Sequence, residues 1–131
     1  MKIHRAIAPV VLAAVLAPCR AADVYVVSGP NVALSPDEVR QVFLGDKQFA
    51  GNTKLNPVEN AALQGEFQAK ALKVDAARYN SIWAKKGFRE GLTQPAVRTS
   101  DADVIAAIKA NPGTIGYVSK PTADVKVIEK L

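Results

Sequence analysis

At 131 residues, 49% of them hydrophobic and 22% charged, the chain is long enough for one cored domain, too short for two lobes, and too apolar for disorder. Of 17 basic residues, Lys2, Arg5 and Arg20 lie in an N-terminal targeting-type segment. That leaves 14 against 12 acidic residues, a net charge of about +2 that is scattered along the chain. Nucleic-acid binding needs a basic stripe interleaved with aromatic or hydrogen-bonding readers, and the sequence offers none. Aromatics make up only 6%, so the core is expected to be mainly aliphatic.

Lys2, His4 and Arg5 precede the apolar run Ala6–Leu16, whose 11 residues fall short of the ~20 a membrane-spanning helix needs. A basic start, a short apolar stretch and a small-x-small site at Cys19 and Ala21 are together the mark of a secretory signal. Residues 1–21 are therefore expected to be a cleaved signal peptide and 22–131 the mature domain, exported and not membrane-spanning. A lipoprotein route competes, because Leu16-Ala17-Pro18-Cys19 resembles a lipobox, but Pro18 stands where a small residue is usual. Cleavage after Ala21 leaves no cysteine, which excludes disulfides and puts stability on packing alone.

The mature chain opens with a β-rich run, Val24-Tyr25-Val26-Val27, ended by the turn cluster Ser28-Gly29-Pro30-Asn31. Ser35-Pro36-Asp37-Glu38 combines an N-cap, Pro at the first helical position and Glu at the capping-box position. The helix it opens carries Val39, Val42 and Phe43 as its apolar stripe and stops at Gly45. Leu55-Asn56-Pro57-Val58 predicts a second strand, placed near a sheet edge because Pro57 cannot donate. Asn60 is expected to cap a helix with Leu63, Phe67 and Ala71 on one face, and Asp75 the next, with Tyr79, Ile82 and Trp83. Gly87 and Gly91 are taken to bracket a loop running to Pro95. Ser100 with Asp103 caps a further helix through Val104, Ile105 and Ile108. Pro112-Gly113 turns into the strand Thr114–Val118, and Val125–Leu131 suggests a last strand in which Ile128 breaks the alternation. This order predicts an α/β fold, a single mixed sheet flanked by helices.

Chemistry is thin. The only histidine, His4, lies in the signal, which removes His acid–base catalysis and His-based zinc sites, and no phosphate-loop, dinucleotide or nucleophile-elbow string occurs. The reading is a protein without enzymatic activity, metal or cofactor. Asp37, Glu38, Asp101 and Asp103 all sit in first helical turns, where they complement the helix dipole. Glu59 reads as a solvated surface acid, and Trp83 as a core residue with Phe88 packed beside it. Helix N-termini present unpaired N–H groups that suit anions. The candidate ligand contacts are accordingly Ser28, Asn31, Asn60 and Ser100, with Arg98 as the best-placed cation.

Two stretches then carry a resemblance. Leu34-Ser35-Pro36-Asp37-Glu38-Val39 with Val42-Phe43-Leu44-Gly45 resembles an element of the periplasmic phosphate-binding proteins of ABC uptake systems. Pro112-Gly113-Thr114-Ile115-Gly116-Tyr117-Val118 resembles their PGAIGYV strand. The likeness spans most of residues 22–131 but only one lobe of the two-lobed, type II binding protein. It implies a periplasmic, phosphate-binding-protein-like module that meets a small anion or other solute, with a transporter or envelope protein as partner. The family grips phosphate with an Arg followed by a Ser-Gly-Thr run. The matching stretch here is Val58-Glu59-Asn60-Ala61-Ala62-Leu63, which lacks all of those side chains and argues against tight phosphate binding. A structural or interaction protein of the envelope, keeping the fold without a ligand, is the competing expectation.

Overall fold

The computed structural model describes residues 23–131, so the signal-peptide reading falls outside the described residues. The chain runs β1 (Tyr25–Ser28), α1 (Pro36–Phe43), β2 (Phe49–Ala50), β3 (Thr53–Lys54), β4 (Asn56–Asn60) and α2 (Gln64–Phe67). A π-helical turn (Gln68–Leu72) follows, then α3 (Ala76–Glu90), β5 (Ala96–Arg98), α4 (Asp101–Ala110), β6 (Thr114–Val118) and β7 (Lys126–Lys130). Five strands form one mixed sheet in the order β5-β4-β6-β1-β7, and β2 and β3 form a separate small hairpin. The pairs β4–β5 and β4–β6 are parallel, whereas β1 runs antiparallel to both β6 and β7. The carboxyl ends of β4, β5 and β6 therefore share one edge of the sheet, and that edge positions the site.

Local chemistry explains the elements. Ser35 caps α1 with the reciprocal capping box, its side chain accepting from the Glu38 N–H while the Glu38 carboxylate accepts from the Ser35 N–H. Asp75 and Ser100 cap α3 and α4 with single bonds, their side chains accepting from the Arg78 and Asp103 N–H groups. β4 is not an edge strand as its proline suggested. β5 lies outside it but begins to pair only at Val58, so Pro57 has a strand on its β6 side alone. Gly87 does not open a loop, because α3 continues to Glu90 and ends at Gly91 in the left-handed region. In β7 the register against β1 skips Ile128, and this bulge is the physical form of its broken alternation.

The sheet separates two cores. On one face α1, α2, the π turn and α3 bury Phe43, Phe67, Tyr79, Trp83, Ile115 and Tyr117. On the other α4 covers Val27, Val58 and Val118 with Val104, Ile105 and Ile108. The first core is aliphatic in number, yet its centre is aromatic. Phe67 stacks on Tyr117 at 4.1 Å, and Phe43 meets Phe67 edge-on at 4.7 Å. Trp83 is 5% exposed and donates its indole N–H to the Phe43 carbonyl at 3.0 Å. Phe88, expected beside it, points outward and is 92% exposed, since five residues along a helix turn it about 140° away from Trp83.

Both family-like stretches mark close approaches. Gly45 adopts φ +80°, and a Cβ there would stand 2.9 Å from the Trp83 ring. A Cβ on Gly116 would stand 2.6 Å from Val104 and 3.0 Å from Val58, so the missing side chain lets α4 lie against the sheet.

Candidate functional site

Strand direction sorts the sequence candidates into two groups. Ser28 ends β1 at the opposite edge of the sheet from the β4 carboxyl end. It is fully buried there, with its hydroxyl donating to the Gly29 carbonyl. Asn31 lies exposed in the turn that follows. Neither shares an edge with the others. Asn60, Arg98 and Ser100 do come together, because Asn60 and Arg98 are register partners at the ends of β4 and β5, and Ser100 opens α4 two residues later.

The residue that organises this edge is Asp101, assigned by sequence only to the helix dipole. Its carboxylate accepts from the Ser119 N–H at 3.1 Å to both oxygens, from the Ser119 hydroxyl at 2.6 Å and from the Lys120 N–H at 3.1 Å. It also accepts from the Asn60 amide at 2.8 Å. One side chain thus ties together the ends of β4 and β6 and the start of α4. Burial on its own would raise its pKa, but the bonds from Ser119, Asn60 and Lys120 outweigh that and hold it below the ordinary carboxylate value. Nothing in the sequence links Asp101 to Ser119, and only the return of β6 beside β4 brings them into contact.

Asn60 does not cap a helix. It is the last, fully buried residue of β4, and its side-chain oxygen accepts from the Ala62 N–H at 3.1 Å to turn the chain. Its amide donates to Asp101 and, at 3.3 Å, to the Tyr117 carbonyl. Ser100 accepts from the Asp103 N–H as a helix cap, and Arg98 is exposed on the edge strand.

Glu59 is the larger departure from the sequence reading. It is fully buried, because a strand flanked on both sides and covered on both faces leaves no solvated direction for its side chain. Its Oε2 accepts from the Gln64 amide at 3.0 Å, while Oε1 and the hydroxyls of Tyr79 and Tyr117 have no hydrogen-bond partner. Burial pushes the Glu59 carboxyl up to about 7, against the smaller pull of Tyr79, Gln64 and Tyr117 in the other direction. A reading of β5 as a strand would have made β4 interior and exposed the conflict in advance.

Two solved structures share this architecture. An ABC-type phosphate transport receptor from Vibrio cholerae superposes with a TM-score of 0.50 at 14% identity, over 83% of this chain and 47% of that one. A protein described as a phosphate ABC transporter substrate-binding protein with bound phosphate, from Clostridium perfringens, gives 0.53 at 11%, over 83% and 46%. The chain has the fold of one receptor lobe. It spans about half the length of the receptors it matches. No family model and no curated protein matches the sequence.

At the edge shared by the three parallel strands, then, the available donors face an internal carboxylate, and the residue one step inside it is a buried acid. An incoming anion would have to displace Asp101 from its donors and accept like charge beside it.

Proposed function

We propose that residues 22–131 form an exported, non-enzymatic module of solute-binding type that meets its ligand or partner at the carboxyl edge of β4, β5 and β6 and does not grip free phosphate. In open α/β sheets ligands bind outside the carboxyl ends of parallel strands, and Asn60, Arg98 and Ser100 lie there. The observation that carries the reading is the occupation of that edge by Asp101, which takes the hydrogen bonds an anion would need. A neutral or cationic solute, or a partner protein of a transporter or of the envelope, fits such an edge better than a phosphate dianion. The matched receptors are substrate-binding proteins, which supports a binding role. The N-terminal pattern of residues 1–21 supports export to the periplasm, with cleavage after Ala21 favoured over lipidation at Cys19.

The test is a thermal-shift screen of the protein purified from the periplasm, against anions, amino acids, amines and sugars. A rise in melting temperature with a neutral or cationic solute, lost in Asn60→Ala, supports the proposal. Stabilisation by phosphate alone contradicts it. Intact mass should place the first residue at Ala22, and an acylated chain starting at Cys19 would replace the cleavage assignment with lipidation. A second reading, a structural envelope protein that binds no solute, is favoured by the internal use of the same donors, and a screen without any hit would select it.

A further inference from the structure

The cations that look scattered in sequence are not scattered on the surface. α3 carries Arg78, Lys85, Lys86 and Arg89 against the single acid Glu90, a net of +3 on one helix, whereas residues 22–131 as a whole total about +2. Lys86 is engaged, pairing with Asp46 and with Glu90. Arg78, Lys85 and Arg89 are exposed, and no ion pair is formed by them among the described residues. With Tyr79 and Trp83 buried, the opposite side of the helix presents Phe88, Ser81, Lys85, Arg78 and Arg89 in an arc of about 100°. From Arg78 to Arg89 the row is roughly 16 Å long at the helical rise.

Two features of this face need an explanation that folding does not supply. Phe88 is 92% exposed, the most exposed large apolar side chain among the described residues, and it stands beside the cations rather than over the core. A shallow groove of about 280 Å³ runs along the row, lined by Arg78, Lys85, Lys86 and Arg89 around Ser81 and Ile82, and its one acid, Glu90, is paired with Lys86. We propose that the outer face of α3 is a docking surface for an anionic lipid bilayer. Phosphodiester headgroups complement the three free cations, and the groove has room for one. The Phe88 ring reaches the boundary between headgroups and acyl chains, where aromatic side chains of surface-bound helices sit. A convex helix face with a protruding ring suits a broad, soft plane better than a second folded surface, which would need a matching hollow.

Residues 23–131 contain the whole sheet and both cores, so the test uses them without the apolar N-terminal run, which would bind bilayers by itself. Co-sedimentation is measured with vesicles of phosphatidylcholine alone and with 30 mol% phosphatidylglycerol (about one lipid in three anionic). Binding is expected only to the anionic vesicles and should weaken with salt. Each juxtamembrane cation is worth a factor of about 5, so Lys85→Gln with Arg89→Gln should lower partitioning on the order of 25-fold. Arg40→Gln with Lys54→Gln, an equal loss of charge elsewhere, should leave it within about twofold. Phe88→Ser should weaken binding, and the emission of Phe88→Trp should shift to the blue on anionic vesicles alone. No binding to the anionic vesicles, or equal losses from the two charge pairs, would overturn the proposal. Tighter binding to poly-glutamate than to vesicles would assign the face to an acidic protein instead.

Discussion

Asp101, which opens α4 against the end of β4, and Glu59, the penultimate residue of β4, are both carboxylic acids, and the fold treats them in opposite ways. Asp101 is half-buried at the strand-end edge and receives donors from Ser119, Lys120 and Asn60, so it stays charged. Glu59 is fully buried one position earlier in the strand, with a single donor from Gln64, and burial pushes its carboxyl up to about 7. The comparison teaches that depth and donors oppose each other: half-buried Asp101 gains enough donors to outweigh desolvation, and fully buried Glu59 does not. It also underlies the proposal that this edge disfavours anions. One acid has consumed the donors, and the other supplies negative charge behind them once the pH passes its own value.

The largest effect that could break this contrast is the pH dependence of stability. Glu59 binds its proton more tightly folded than unfolded. Its contribution is therefore complete below the ordinary value of 4.5 and is lost as pH rises to about 7. At about 1.4 kcal/mol per pKa unit the loss is roughly 3 kcal/mol. Denaturant unfolding at pH 4.5 and 7.5 should show wild type falling by that amount relative to Glu59→Gln, which keeps the shape and the Gln64 bond. Parallel pH profiles for the two proteins would mean that Glu59 is not held neutral by burial.

Asp101→Ala should rank next. It strands the Ser119 and Lys120 N–H groups and the Asn60 amide, and water at this half-open edge recovers part of the loss, so about 2 kcal/mol of destabilisation is expected. The direction with pH is the reverse of Glu59. The Asp101 contribution is present above the ordinary carboxylate value and lost as pH falls through its lowered one. A variant as stable as wild type in denaturant would show that the strand ends do not depend on this acid.

Tyr79→Phe should have the smallest effect, within about 1 kcal/mol, because its buried hydroxyl has no hydrogen-bond partner to lose. Denaturant unfolding of Tyr79→Phe beside wild type reads the difference. A cost of several kcal/mol would mean that Tyr79 and Glu59 share a strong bond.

Much of the frame was legible in the sequence because local signals and tertiary packing agree there. Ser35, Asp75 and Ser100 cap the helices they announce, and Thr114–Val118 is the buried strand its composition predicts. Three-residue β5 was not legible, since Ala96-Val97-Arg98 has no alternation and all three residues are exposed. That omission propagated. Without β5 nothing countered the edge placement that Pro57 suggested for β4, and Glu59 was left looking like a surface acid. How the candidate residues group was legible only in part. Asn60, Arg98 and Ser100, chosen as polar residues at element ends, fall at one edge of the sheet, while Ser28 and Asn31 lie at the opposite edge because β1 runs antiparallel. Asp101 needed a contact across 18 residues that no local pattern encodes.

The central claim is that this receptor-lobe fold has closed its own anion edge, and isothermal titration of the purified protein with inorganic phosphate tests it most directly. Charge-assisted bonds of the kind the family motif supplies are worth about 1.5–3 kcal/mol each, and a micromolar site needs about 8 kcal/mol in all. With the donors at Asn60, Ser119 and Lys120 turned to Asp101, binding should be millimolar or weaker, and no resolvable heat is predicted at moderate salt. A dissociation constant in the low micromolar range would contradict the account and show that phosphate displaces Asp101 or binds through Arg98.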